Sequence, residues 1–281
     1  MGPHFRVLRK ARFVSRLPLL WTIVEFRTMP AEPQRETRKI GAVIYLATNR
    51  PLHLSDFLAE FRRSWPRLSL EKTGKEPHRA LFRVGRSDFA LELHHTRVPQ
   101  PVTELVVHST LHWPMAAAAL AHHQAHLSVS GASASRDALT LACDLTKAIA
   151  ALLPVTDPLA VCWLNGPALN SSETFVNSAR ESFDTGLYPI ALWVGVDWDA
   201  PAGVIQTRGM AQFGAPEICL SQQKDAAPLM VQYVFRVAQS VLAAQRQIAD
   251  GDVIDSPHGR LRVKQTGEPR KRFLVLGPLP R

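Results

Sequence analysis

Five histidines lie close together in the chain: His108, His112, His122, His123 and His126. On a helix, His108 and His112 share a face at i, i+4, a spacing at which two imidazoles can chelate one metal ion. His122 and His126 have the same spacing only if a helix continues through Ala125, and Ala125–Ser130 (AHLSVS) reads instead as a strand. The string HHQAH also lacks the glutamate of HExxH, so a hydrolytic metal site has no general base here. Two uses remain open. Either His108, His112, His122 and His126 supply ligands to a metal, or His123 and His126 bond backbone groups at a helix-to-strand junction. The second asks less of the sequence, and no cofactor is expected.

A second group gathers in RGMAQFGAPEI, with Gly209, Gly214 and Glu217. Glycines let backbone approach a ligand closely, but they more often serve turns between strands. Glu217 has no paired acid in sequence. Asp197 and Asp199, just past an apolar run, would have to meet it in space for general acid–base work. No GxSxG elbow surrounds Ser128, Ser130 or Ser133, and no phosphate loop or dinucleotide fingerprint occurs. Cys143, Cys162 and Cys219 are widely spaced in apolar segments, which fits core thiols in a reducing compartment rather than a disulfide framework.

The elements that must carry these residues follow from hydrophobic period. Gly41–Ala47 is a buried strand, followed by a helix with Ser55 as its expected cap and Phe57, Leu58, Phe61 and Trp65 on one face. Short strands are expected at Leu68–Leu70 and Ala80–Val84, and an alternating one at Phe89–Leu93. A helical stretch from Thr103 to Gln124, broken near Pro114, runs into Ala125–Ser130. A helix over Ser135–Leu153 is the clearest of the middle. Leu159–Leu164 and Ile190–Val196 read as buried strands, with a helix at Ser172–Phe183 between them. Val204–Arg208 and Glu217–Leu220 are shorter strands. A long helix at Ala226–Ile248 buries Met230, Tyr233, Val234, Val237, Val241 and Gln245, and a terminal strand pair joins Leu261–Lys264 to Arg272–Leu276.

This inventory defines an α+β fold of mixed and antiparallel sheets with packed helices. The strand–helix order over 41–130 and 159–277 suggests the ferredoxin-like βαββαβ pattern twice. The organisation expected is a basic, flexible leader over residues 1–40, an α+β half at 41–134 and a second at 135–281. The chain has 281 residues and a formal charge of +9, of which +5 falls in residues 1–28 and +6 in 260–281, leaving −2 over 29–259. Basicity at the ends gives the body no polyanion-binding face, so nucleic acid is not the expected partner. The short apolar run Leu17–Val24 cannot span a bilayer. The opening MPAEPQRETRKIG points to translation starting at Met29.

From Trp113-Pro114 onward the chain resembles the bacterial family catalogued as domain of unknown function 4261. The resemblance is carried by His123-Gln-Ala-His126, Trp163, Leu192-Trp193-Val194, the RGMAQFGAPEI segment with Gly209, Phe213, Gly214 and Glu217, and Asp250-Gly251-Asp252. It covers about 110–277 and brings no established activity, ligand or catalytic residue with it.

The expectation is therefore a cytoplasmic protein-binding or accessory module, more readily non-enzymatic than enzymatic, with another protein as partner. A metal-dependent enzyme using the histidine cluster is the alternative. His123, His126, Gly209 and Glu217 are the candidate ligand or partner surface. If Ala125–Ser130 is a strand, His126, Ser128 and Ser130 share one face. That row either lines an open side of the sheet or lies covered, with His126 as a hydrogen-bonded structural residue.

Overall fold

The computed structural model describes residues 38–76, 79–108, 110, 113–133, 137–199, 201, 203–221, 227–243, 249–256, 259–266 and 273–278. The Met29 start, His112 and the cap at Ser135 fall outside them.

Strand β1 (Arg38–Leu46) explains the architecture, because it is apolar on both faces. Ile40, Ala42, Ile44 and Leu46 point to one side, while Val43 and Tyr45 point to the other, and all are buried. Such a strand belongs in the middle of a sheet covered on both faces. It lies between β5 (Ala125–Ser133) and β6 (Pro158–Trp163), antiparallel to each. With β2 (Leu70–Glu76), β3 (Arg79–Val84), β4 (Ser87–His94) and β7 (Ala168–Ser171), the seven-stranded order is β2-β3-β4-β5-β1-β6-β7.

The second sheet has the order β11-β12-β13-β10-β9-β8. Its strands are β8 (Gly195–Asp199), β9 (Val204–Arg208), β10 (Glu217–Ser221), β11 (Val253–Ser256), β12 (Gly259–Thr266) and β13 (Phe273–Pro278). β10 and β13 run parallel, and the other pairings are antiparallel. The α+β class is thus observed, and the finer expectation of two ferredoxin-like halves is corrected. β6 and β7, from beyond residue 135, complete the first sheet because β1 needs a neighbour on its second edge.

Three helices pack on the inner face of the first sheet: α1 (Leu54–Ser64), α4 (Ala138–Leu152) and α5 (Ser172–Asp184). α1 buries Phe57 and Phe61, and its N-cap is His53, with Ser55 already inside the first turn. α4 is capped by Asp137, which accepts from the Leu139 and Thr140 amides. Among the described residues, one segment, Ala138–Val155, is long and apolar enough to cross a membrane, and 67% of it is buried in this core. α7 (Ala227–Ala243) covers the second sheet with Met230, Tyr233, Val234, Val237 and Val241 buried. Gln245 lies outside the described residues.

The opposite face of the first sheet has its own apolar layer. α2 (Gln100–His108) and α3 (Ala116–Leu120) lay Val102, Val106, Ala116 and Leu120 over Val43, Tyr45, Ala160 and Cys162. One further expectation changes: Ile190–Trp193 is a helical turn, α6, and the strand begins only at Gly195. Short apolar runs fit helix or strand equally by period. Here Pro189 at the N-cap and the contacts of the Trp193 carbonyl decide for the turn.

Candidate functional site

The register of β4, β5 and β1 sets His94 opposite His126 and His126 opposite Tyr45. The His94 and His126 rings stack with centroids 4.5 Å apart and planes 10° from parallel. His126 Nδ1–H donates to the Thr96 carbonyl at 2.8 Å. His123 Nδ1–H donates to the Leu120 carbonyl at 2.7 Å, while its Nε2 accepts from the Val98 amide at 2.9 Å. Two such bonds fix a neutral ring in one tautomer. Its edge meets Tyr45 at 5.0 Å.

The physical consequence is a pair of staples. Leu120 ends α3, and Thr96 and Val98 lie in the segment leading into α2. The two imidazoles therefore tie the α2–α3 layer to the sheet. His126 and His123 are 4% and 5% exposed. Burial holds the His126 imidazole down at about 4, with the Thr96 bond opposing that shift and neighbouring His94 and His123 adding to it.

Of the two arrangements open for the polar row, the exposed one is not found and the covered one is. His126, Ser128 and Ser130 are all buried, the last at 9% exposure, because the α2–α3 layer occupies part of the face that the alternation pattern left bare. Ser128 Oγ lies 2.6 Å from His94 Nε2, a serine–imidazole contact between neighbouring strands. His94 was not singled out from the sequence. The alternation of Phe89–Leu93 places it on the Glu92 face if the strand is extended by one residue, but the pairing with His126 depends on register.

The three described candidate metal ligands do not form a site, and His112 lies outside the described residues. His108 is exposed at the end of α2, His122 is exposed after α3, and His126 is buried with its Nδ1 engaged. Among the described residues no group of three His, Cys, Asp or Glu side chains could hold a metal ion. The thiols are not activated either: burial pushes Cys143 and Cys162 up to about 12 and raises Cys219.

Gly209 and Glu217 sit in the second sheet, away from the histidine corner, and build a knot. Gly209, at φ +115°, opens a 3-10 turn over Met210–Phe213. Glu217 accepts the Gly209 amide at 2.9 Å, the Ala211 amide at 3.3 Å and the Thr207 hydroxyl at 2.8 Å. Burial raises its carboxyl above the usual range, against those hydrogen bonds. Gln212 donates to the carbonyls of Gly209 and Trp193, at 2.7 and 3.1 Å, and accepts from Trp163 Nε1 at 2.9 Å. Trp193 in turn donates to Thr146 Oγ1 at 2.7 Å and packs on Phe213 at 5.4 Å. Gly195 N donates to Gly166 O at 2.6 Å, closing the junction of the two sheets.

Asp197 does not join Glu217. It faces Arg208 Nε at 2.8 Å, and burial raises its carboxyl while that guanidinium opposes the shift. Replacing Glu217 by alanine strips an acceptor from two amides and a hydroxyl, so a loss of about 2–4 kcal/mol is expected in equilibrium urea unfolding. Glu217→Gln, which keeps one oxygen, should lose less than half of that.

Comparison with known proteins adds no further constraint: no family model matches the chain, and no curated protein or solved structure does.

The outer surface of the α2–α3 layer differs from the buried groups above. Met115 is 64% exposed, the largest exposure among the large apolar side chains described. Pro114, Ala117, Ala118 and Ala121 are also exposed beside it, with Trp113 half-buried. From Leu105 to Ser135 the chain has no Asp, Glu, Lys or Arg. Its exposed part thus holds no Asp, Glu, Lys or Arg, and the apolar patch around Met115 is bordered by exposed His108, His122 and Gln124. Sequence reading missed it, because alanine-rich helical turns look alike whether they face core or solvent.

Proposed function

We propose that this chain is a non-enzymatic protein-binding or accessory module that binds through the exposed patch around Met115 at the start of α3. One observation carries the reading: an exposed apolar patch of Pro114, Met115, Ala117, Ala118 and Ala121 on a layer tied to the sheet by the hydrogen bonds of His123 and His126. Uncharged exposed apolar patches on folded domains mark contact surfaces. The conspicuous polar residues support the same reading by their engagement. His123, His126 and Glu217 spend their hydrogen bonds on backbone groups or on Thr207.

Membership of the bacterial family of unknown function 4261 belongs to the same proposal. Its support is that Trp163, Trp193, Gly209, Phe213 and Glu217, dispersed in sequence, meet in one knot. The three unpaired thiols accord with a cytoplasmic setting.

The test is recovery of the tagged chain at native expression. A protein partner should stay with the parent through washing and be lost on Met115→Asp, with the melting temperature unchanged because Met115 is largely exposed. A chain that emerges alone in every condition contradicts the proposal.

A further inference from the structure

We infer that Arg208 is the receptor for a small carboxylic acid, whose carboxylate takes the place that the Asp197 carboxylate holds in this structure. The inference is independent of the patch around Met115.

Two guanidinium donors carry it. Arg208 Nε and Nη2 are both buried, and neither has a hydrogen-bond partner among the described residues. These two nitrogens form the side-on fork of an arginine, whose parallel N–H bonds match the two oxygens of one carboxylate. Asp197 Oδ2 lies 2.8 Å from Nε, so charge meets charge, yet the N–H does not point at that oxygen and Nη2 receives nothing. Arginine stays protonated, so the fork cannot shed its unmet donors by titrating. Among the described residues it is the only charged group left in this state, the others being the Thr48 and Thr103 hydroxyls.

The register explains the poor fit. Gly195 stands opposite Arg208 and Asp197 opposite Gln206, so Asp197 reaches the guanidinium along the diagonal of the strand pair. Diagonal neighbours lie about 7–8 Å apart, and an aspartate has one methylene with which to turn its carboxylate into the guanidinium plane. Burial outweighs the guanidinium at Asp197 and raises its carboxyl, the reverse of what a well-formed pair produces. β8 is the last strand of its sheet and the Asp197 side chain is 45% exposed, so it can turn to water and leave the fork. A free carboxylate is not tethered to β8 and can lie in the guanidinium plane. The Arg208 side chain is only 20% exposed, an approach that suits a small free acid better than an acidic side chain on a folded partner.

Titration of the full chain with sodium acetate at neutral pH, read by calorimetry and by melting, tests this against acetamide and against sodium chloride at matched ionic strength. The parent should bind acetate and melt higher than in chloride, with no response to acetamide. Asp197→Ala should bind acetate about tenfold or more tightly than the parent, because the competing carboxylate is gone. Arg208→Lys keeps the charge without the fork and should bind at least about tenfold more weakly. A parent that responds to acetate no more than to chloride or acetamide overturns the inference, even where Asp197→Ala binds, since Asp197 would then be the resident partner. Undiminished binding by folded Arg208→Lys overturns it too. So do equal affinities of the parent and Asp197→Ala, which place acetate elsewhere, and that comparison decides the matter if Arg208→Lys does not fold.

Discussion

Gly166→Ala should leave little or no folded protein, with a loss of at least about 4 kcal/mol wherever unfolding can be measured. A methyl at Gly166 would lie 2.0 Å from the Trp193 carbonyl oxygen and 2.9 Å from that of Arg208. Both obstacles are backbone, so no rotamer change relieves them. Gly209 and Gly195 close on the same point, with added Cβ atoms 2.6 Å from Gly166 Cα and 2.4 Å from Gly166 O. Retreat in one direction therefore meets another chain segment. Gly85→Ala provides the control: its φ is +56° with nothing within 4 Å, so only left-handed strain of about 1 kcal/mol should appear. Expression in the soluble fraction followed by urea unfolding separates the two. Similar modest losses for both would mean that the backbone junction is not tightly packed.

The second large effect is a pH dependence at His126. The folded state holds this imidazole near 4, whereas the ordinary value of 6.5 applies once the chain unfolds. Above 6.5 neither state binds the proton and the group contributes no penalty. As pH falls from 6.5 to 4 the unfolded chain takes up the proton first, and stability drops by about 2–3 kcal/mol. Below 4 both states bind it and the loss stays constant. His126→Ala should cost about 1–3 kcal/mol at pH 7.5, because the Thr96 carbonyl loses its buried donor. Near pH 4.5 the variant should match or exceed the parent, since the parent has by then lost what its neutral ring provided. Urea unfolding of both proteins at the two pH values checks this. Parallel pH profiles would show that His126 titrates freely in the folded protein.

Much of the scaffold was legible because period and burial coincide in it. The apolar run of β1, the alternation of β4 and the stripes of α4 and α7 each report a face that tertiary packing then uses. The ferredoxin-like reading failed because element order does not specify which strand takes the free edge of β1. Ile190–Trp193 was misread because four apolar residues carry no usable period.

At the candidate sites the residues themselves were visible and their roles were not. His123 and His126 stood out by type, and a helix-to-strand junction was the right setting, but the partners Thr96 and Val98 come from a segment with no signal of its own. Gly209 and Glu217 read as a unit, yet Gly166, against which Gly209 packs, lies on a distant turn. The α2–α3 surface gave no sign, since exposure depends on which side of a short helix meets the sheet.

The central claim is a division of labour, in which the histidines and Glu217 hold the fold while the face around Met115 binds. Its most direct test is retention of protein partners on immobilised parent, Met115→Asp and Glu217→Ala chains, normalised to the folded fraction of each. The expected result is that Met115→Asp loses retention at unchanged stability, whereas Glu217→Ala is destabilised yet retains partners as the parent does. Retention abolished by Glu217→Ala in the folded fraction, and untouched by Met115→Asp, would contradict the claim.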